Sequence, residues 1–211
     1  MSKVVDILKS VGAILPNDHF VGTSGKHIDT YVNKDALYPH TKETSDVCRL
    51  MAEKTKGLDF ETVVSPALGG IILSTWTAYH LSQMKGREIF GVYTEKDAEK
   101  NMIFTRGYDK YITGKKVLVV EDITNTGGSA KKVVEAVKAA GGEVVGVAVI
   151  LNRNPDNVNQ QYFGVPFYPL EELKFAAFDE AECPMCKVGK PVNTKVGHGK
   201  KYLEAKANAK V

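Results

Sequence analysis

The chain is short of cysteine, of single-sign charge and of long apolar runs, and each shortage excludes a class of protein. Three cysteines in 211 residues are an odd number and too few to frame a disulfide-built fold, so they point to a reducing, cytoplasmic setting. The 28 basic and 25 acidic residues leave a net charge of +3. That is too little to argue for a nucleic-acid surface, and the lysines are spread along the chain except near its C-terminus. No apolar run approaches the ~20 residues that cross a bilayer. Residues 1–15 lack the basic, apolar and small-residue regions of a signal peptide. The phosphate-binding patterns GxxxxGK[ST] and GxGxxG are missing as well. A content of 43% hydrophobic and 25% charged residues suits one sizeable core with appendages.

What is present is organised around VLVVEDITNTGGS, residues 117–129. Its first four residues are apolar and rich in β-branched Val, the pattern of a parallel strand covered on both faces. Glu121 and Asp122 stand where that strand is expected to end. Ile123, Thr124, Asn125, Thr126, Gly127, Gly128 and Ser129 lead into KKVVEAVKAAGG, which has helical spacing and a Gly stop. The first N–H groups of a helix lack internal partners and lie at the positive end of its dipole, so a Thr/Gly loop feeding that end can wrap a phosphate. Two carboxylates beside it would repel phosphate, and instead suit a ligand's hydroxyls or a cation. A phosphorylated sugar satisfies both halves.

This run resembles the 5-phosphoribosyl 1-diphosphate motif of type I phosphoribosyltransferases: hydrophobic strand, two acids, a variable pair, then Thr-Gly-Gly-Ser. The resemblance implies an α/β fold, a parallel β-sheet flanked by helices with a small hood subdomain. Residues 1–40 would form the N-terminal arm of the hood, 41–170 the core, and 171–211 a C-terminal hood or tail segment. It also implies that the donor is gripped by residues 121–129.

Along the chain, residues 4–11 have helical spacing. HFVGTSGKHIDTYVN, residues 19–33, reads as a β-hairpin or extended arm with a Gly turn. It is similar to the N-terminal segment of orotate phosphoribosyltransferases. By that resemblance Ser24, Gly25, Lys26, Tyr31 and Val32 border a pyrimidine, with Val32 standing where the family more often has an aromatic. Residues 42–56 form a covering helix on which Cys48 reads as a small buried hydrophobe. TVVSPALGG, residues 62–70, is a strand and small-residue turn. Ala67, Leu68, Gly69 and Gly70 would offer backbone N–H groups to a diphosphate, ahead of a helix in which Trp76 and His80 read as packed.

A third strand is expected at 88–94. The charged stretch that follows, up to the central strand, has little apolar periodicity, which suits a lid. In the family this place holds a loop or hairpin that closes over the substrates, and its commonest version has an Arg-Lys pair, a Lys and a His-Gly. Here Lys96 and Arg106 are the candidate catalytic basic residues. EVVGVAVILNRN, residues 143–154, is a fourth strand with Arg153 beyond its carboxyl end, where its fork suits a carboxylate such as that of orotate. A short strand at 165–168 and a helix from about Pro169 would complete the sheet. The tail carries CPMC; Cys183 and Cys186 are half a zinc site, whose other half would need His198 and a fourth, unidentified ligand. Some orotate enzymes have a similar tail, for which a structural knuckle is the simplest reading.

The resemblance implies transfer of phosphoribosyl from the diphosphate donor to orotate. Mg²⁺ would be bound through the substrate, and the enzyme would be a homodimer with no nucleic-acid or membrane partner. Asn125 stands where the orotate enzymes usually have Thr near the base. A transferase for a purine base, a non-catalytic regulator sensing the donor, and a structural zinc module remain alternatives at this stage.

Overall fold

The computed structural model describes residues 2–22 and 24–208. In chain order the elements are α1 (Lys3–Ser10), β1 (Ile14–Leu15), β2 (Phe20–Val21), β3 (His27–Ile28), β4 (Tyr31–Val32), α2 (Thr41–Thr55), β5 (Thr62–Pro66), α3 (Gly69–Lys85), β6 (Phe90–Lys96) and β7 (Met102–Ile103). They continue with β8 (Lys116–Thr124), α4 (Gly128–Ala139), β9 (Glu143–Asn152), α5 (Gln160–Phe163), β10 (Phe167–Glu172), β11 (Ala177–Phe178), α6 (Pro184–Lys187) and α7 (Gly199–Asn208).

The main sheet has the order β10-β9-β8-β5-β6-β7, all parallel except the antiparallel β6–β7 hairpin. Alternation along its central strands feeds two cores. Val63, Leu118, Val120, Ala148 and Ile150 face α1, α2 and α3, whereas Val64, Val117, Val119, Val147 and Val149 face α4. A strand covered on both sides must be apolar at every position, which explains why the central run shows no alternation in sequence. Smaller sheets, β1–β4 and β11-β3-β2, build a hood from both ends of the chain.

Two expectations are corrected. The central strand runs on to Thr124, so both acids lie within it: β8 stays paired to β9 through Glu121, Ile123 and Thr124. No helix starts at Pro169. That residue belongs to β10, which pairs with β9 from Phe167 to Glu172 on the sheet's edge, the place where a strand tolerates proline. The charged stretch after the third strand, expected as a loop or hairpin, is a hairpin followed by a short 3-10 turn at Tyr108–Tyr111. It is docked by Met102, which is buried against the α4 core, and by Lys132 Nζ on the carbonyl of Lys100 at 2.7 Å.

Leu118 is fully buried between β8's neighbours and the α2–α3 layer. Leu118→Ala is expected to lower unfolding free energy by about 2–5 kcal/mol in urea titrations, with helix content by circular dichroism unchanged below the transition.

Candidate active site

The carboxyl ends of the parallel strands carry the site. The period of two sends consecutive side chains of β8 to opposite faces, so its two acids part company. Glu121 enters a cleft of ≈ 230 Å³ lined by Ile123 through Ala130. Asp122 turns to the other face, where its Oδ2 accepts from Lys34 Nζ at 2.8 Å and from the Tyr38 hydroxyl at 2.7 Å. Its Oδ1 accepts the N–H of Ile123 at 2.5 Å. Both carboxyls are buried.

That burial sets the electrostatics. Desolvation, then the charge of Asp122, pushes the Glu121 carboxyl up to about 8, while the Asp122 N–H on its Oε1 (3.0 Å), Lys34 and Lys96 pull the other way. The Glu121 carboxyl is thereby biased towards its protonated form in the free protein, and Asp122 forms an ion pair with Lys34. Burial depresses the Lys34 ammonium, but Asp122 more than offsets this and the net shift is upward. Burial, then Asp122, raises the Tyr38 hydroxyl. Lys34 and Tyr38 were not legible as site residues. Their only signal is an i, i+4 spacing that puts both on one side of the turn after β4.

Beyond β8 the loop turns through Gly127, which has φ +74 and caps α4. A Cβ there would also overlap the Tyr162 ring, so no other residue fits. The α4 N-terminus thus opens onto the cleft between Thr126 and Ser129, and the buried Thr124 hydroxyl, which also lines it, has no partner. On the neighbouring strand, Leu68, Gly69 and Gly70 enter α3 beside the site, and Gly69 allows the close approach of the Tyr38 hydroxyl. The Ala67–Leu68 peptide is cis. The Ala67 N–H is committed to the Thr94 carbonyl at 2.8 Å, which removes it from the donors available to a ligand.

A second cleft of ≈ 220 Å³ lies under the hood. It brings together Ser24, Lys26, Tyr31, Val32, Asn125 and Arg153, all predicted to border the base, while Gly25 forms the turn (φ +78) and does not line it. Phe175 and His198 also line it, and sequence reasoning missed both as pocket residues. The Arg153 guanidinium lies 5.1 Å from the Phe175 ring centroid, its Nε is buried without a partner, and burial lowers its pKa. Lys26 is held 3.1 Å from Asp179. Asn125 lines both clefts. Of the two basic lid candidates, Lys96 stands near Glu121, whereas Arg106 is exposed and tied to Glu95 at 3.4 Å. A larger cavity of ≈ 620 Å³ lies at the amino ends of β8 and β9, among surface ion pairs such as Lys116–Asp59, on the wrong side of the sheet for a ligand.

A mostly parallel sheet whose central strand carries a buried acid pair ahead of a Thr-Gly-Gly loop at a helix N-terminus defines a class, and residues 33–168 match the phosphoribosyl transferase domain family: the chain belongs to that family. Among its relatives, the orotate phosphoribosyltransferase of Caldanaerobacter subterraneus subsp. tengcongensis is 36% identical over 190 residues, 90% of this chain and 94% of that one. The crystal structure of Mycobacterium tuberculosis orotate phosphoribosyltransferase in complex with Fe(III) dicitrate superposes with a TM-score of 0.65 at 27% identity, covering 82% of this chain and 97% of that one. The same enzyme in complex with 5-phospho-α-D-ribosyl 1-diphosphate gives 0.58 at 26% identity, covering 81% and 89%.

The raised carboxyl gives a pH signature. Between about pH 4.5 and 8 the native protein holds the Glu121 proton that the unfolded chain releases, so this group makes stability fall as pH rises through that window. Glu121→Gln removes the dependence. Its stability relative to wild type is expected to improve by about 2 kcal/mol from pH 6 to pH 8, measured by urea unfolding of the ligand-free proteins. A pH-independent difference would place the proton elsewhere.

Proposed function

We propose that the chain is an orotate phosphoribosyltransferase, moving the phosphoribosyl group of 5-phosphoribosyl 1-diphosphate to N1 of orotate with release of diphosphate. The observation that carries this reading is the junction at Asn125: one cleft suits a sugar phosphate, the other a flat acid, and they meet where the new bond would form. The amides of residues 125–129 hold the 5′-phosphate. Glu121 and Asp122 hold the ribose hydroxyls, Asp122 through the acceptor capacity left beside Lys34, Tyr38 and Ile123. Leu68, Gly69 and Gly70 face the diphosphate, with Ala67 shaping their turn, and Lys96 and Arg106 supply positive charge from the hairpin. Arg106 must first leave Glu95.

As the bond to diphosphate stretches, the ribose gains cationic character. A fixed anion at Asp122 stabilises that charge without reorganisation, and closure over the clefts excludes the water that would hydrolyse the donor. The cleft's side-chain donors are carboxylates and hydroxyls, the ligands Mg²⁺ takes. With an ammonium already on Asp122, they fit an ion carried in on the donor's oxygens rather than one caged by the protein. When bound, such an ion would supply positive charge to offset the negative charge developing on the leaving diphosphate. A cytoplasmic homodimer completes the reading; exposed Leu68, Tyr79 and Met84, on and beside α3, support the dimer. No helix among the described residues is long and apolar enough to cross a membrane.

Arg153, whose Nε is buried without a hydrogen-bond partner, favours orotate over a purine, because a carboxylate can accept from it. Incubation with donor, Mg²⁺ and a panel of bases should give diphosphate release with orotate and background release with adenine or hypoxanthine; the reverse order would sink the assignment. Asp122→Asn is expected to cut kcat by at least ~10² with the fold intact, and near-normal turnover would remove its electrostatic role. Arg153→Ala should raise KM for orotate at least tenfold while the KM for the donor moves less than about twofold, the loss of one charge-assisted contact confined to the base.

A further inference from the structure

Outside the clefts, four metal-ligating side chains converge at the base of the hood. His19 precedes β2, His27 lies on β3, and Cys183 and Cys186 bracket the start of α6, more than 150 residues away along the chain. His19 Nε2 and His27 Nδ1 stand 2.7 Å apart; Cys183 Sγ is 3.7 Å and Cys186 Sγ 3.8 Å from His19 Nε2, and Cys186 Sγ is 3.3 Å from His27 Nδ1. All four ligand atoms lie within 4.8 Å of one another. His19, His27 and Cys183 are buried, and Cys186 is partly open, which leaves an entry path.

We propose that His19, His27, Cys183 and Cys186 bind one zinc ion tetrahedrally and so staple the N-terminal hairpin to the C-terminal tail. Standard zinc bond lengths give tetrahedral edges of about 3.3 Å for N···N, about 3.6 Å for N···S and about 3.8 Å for S···S. The observed N···S separations bracket that value, and the imidazoles need to open by only about half an ångström to admit the ion. Two imidazoles and two thiols at tetrahedral spacing select zinc over hard cations, which take oxygen ligands.

The surroundings are built for it. The four residues Cys183 to Cys186 fold into a tight turn, with Lys187 N–H on the Cys183 carbonyl and Gly189 N–H on that of Cys186. The carbonyl of Lys190, just past this turn, accepts from His19 Nδ1 at 2.7 Å, which fixes the tautomer that leaves Nε2 free to ligate. Without a metal, His19 Nε2 and His27 Nδ1 meet at 2.7 Å, where only one proton can lie between them; a metal there accepts the lone pairs of both. His198, the histidine expected to complete such a site, lies instead in the base cleft.

The site also has a consequence for the clefts. β3 carries His27 and pairs with both β2 and β11, and the turn beside it carries Ser24 and Lys26. One ion therefore fixes a wall of the base cleft through both chain ends.

Elemental analysis of the full-length protein, purified without chelator or tag-bound metal, should find about one zinc per chain. Cobalt-substituted protein should show the visible bands of tetrahedral cobalt with thiolate charge-transfer absorption. The Cys183→Ser/Cys186→Ser protein should lose the metal. Should that variant fail to fold, His27→Cys, which keeps four ligands, should retain zinc while strengthening the thiolate absorption of its cobalt form. Zinc below about a tenth per chain after addition of the metal, a Cys183–Cys186 disulfide by mass spectrometry, or zinc content unmoved in a folded double-serine variant would each overturn the proposal.

Discussion

Everything about this site depends on two carboxyls being carried into a dry place by one strand. β8 stays hydrogen-bonded to β9 until Thr124, so its acids cannot relax outward as loop residues would. Two unpaired carboxylates there would each incur several kcal/mol of desolvation. The structure resolves this unequally: Asp122 is given an ammonium, a phenol and a backbone amide, and Glu121 is biased towards its protonated form. Alternation makes the inequality unavoidable, since consecutive side chains face different halves of the molecule and meet different partners.

The same constraint explains the role of the N-terminal arm. Without residues 34–38, Asp122 would face the α3 side with no countercharge and without two of its hydrogen-bond donors, which would destabilise the strand end. The arm therefore holds Asp122 as well as lining the cleft under the hood.

Legibility in the sequence follows the range of the interactions. The strand–acid–loop–helix order of residues 117–129 is local, and each part has its own residue signature, so that order could be read directly and the structure shows it. The base cleft comes from turns and strand ends far apart in the chain. Its members Ser24, Lys26 and Tyr31 were reachable only through a family resemblance, Arg153 through its place beyond a strand's carboxyl end, and Phe175 and His198 not at all as pocket residues. Pro169 misled because proline begins helices as readily as it occupies an edge strand, and only the pairing with β9 decides. Lys34 and Tyr38 carry no motif; their importance arises from a carboxylate 88 and 84 residues away, respectively.

The two halves of the site thus have different physical guarantees. The donor half sits on β5, β8 and α4, whose fully buried residues fix it through the main core. The base half hangs on strands two residues long, and sheets that small have almost no stability of their own. Its walls need a tie that does not depend on apolar area. A metal coordinated by residues from both ends of the chain supplies one, because the free energy of coordination is concentrated in four bonds rather than spread over a surface the hood does not have. The cluster of His19, His27, Cys183 and Cys186 accordingly occurs in the part of the molecule where the hydrophobic effect has least to work on.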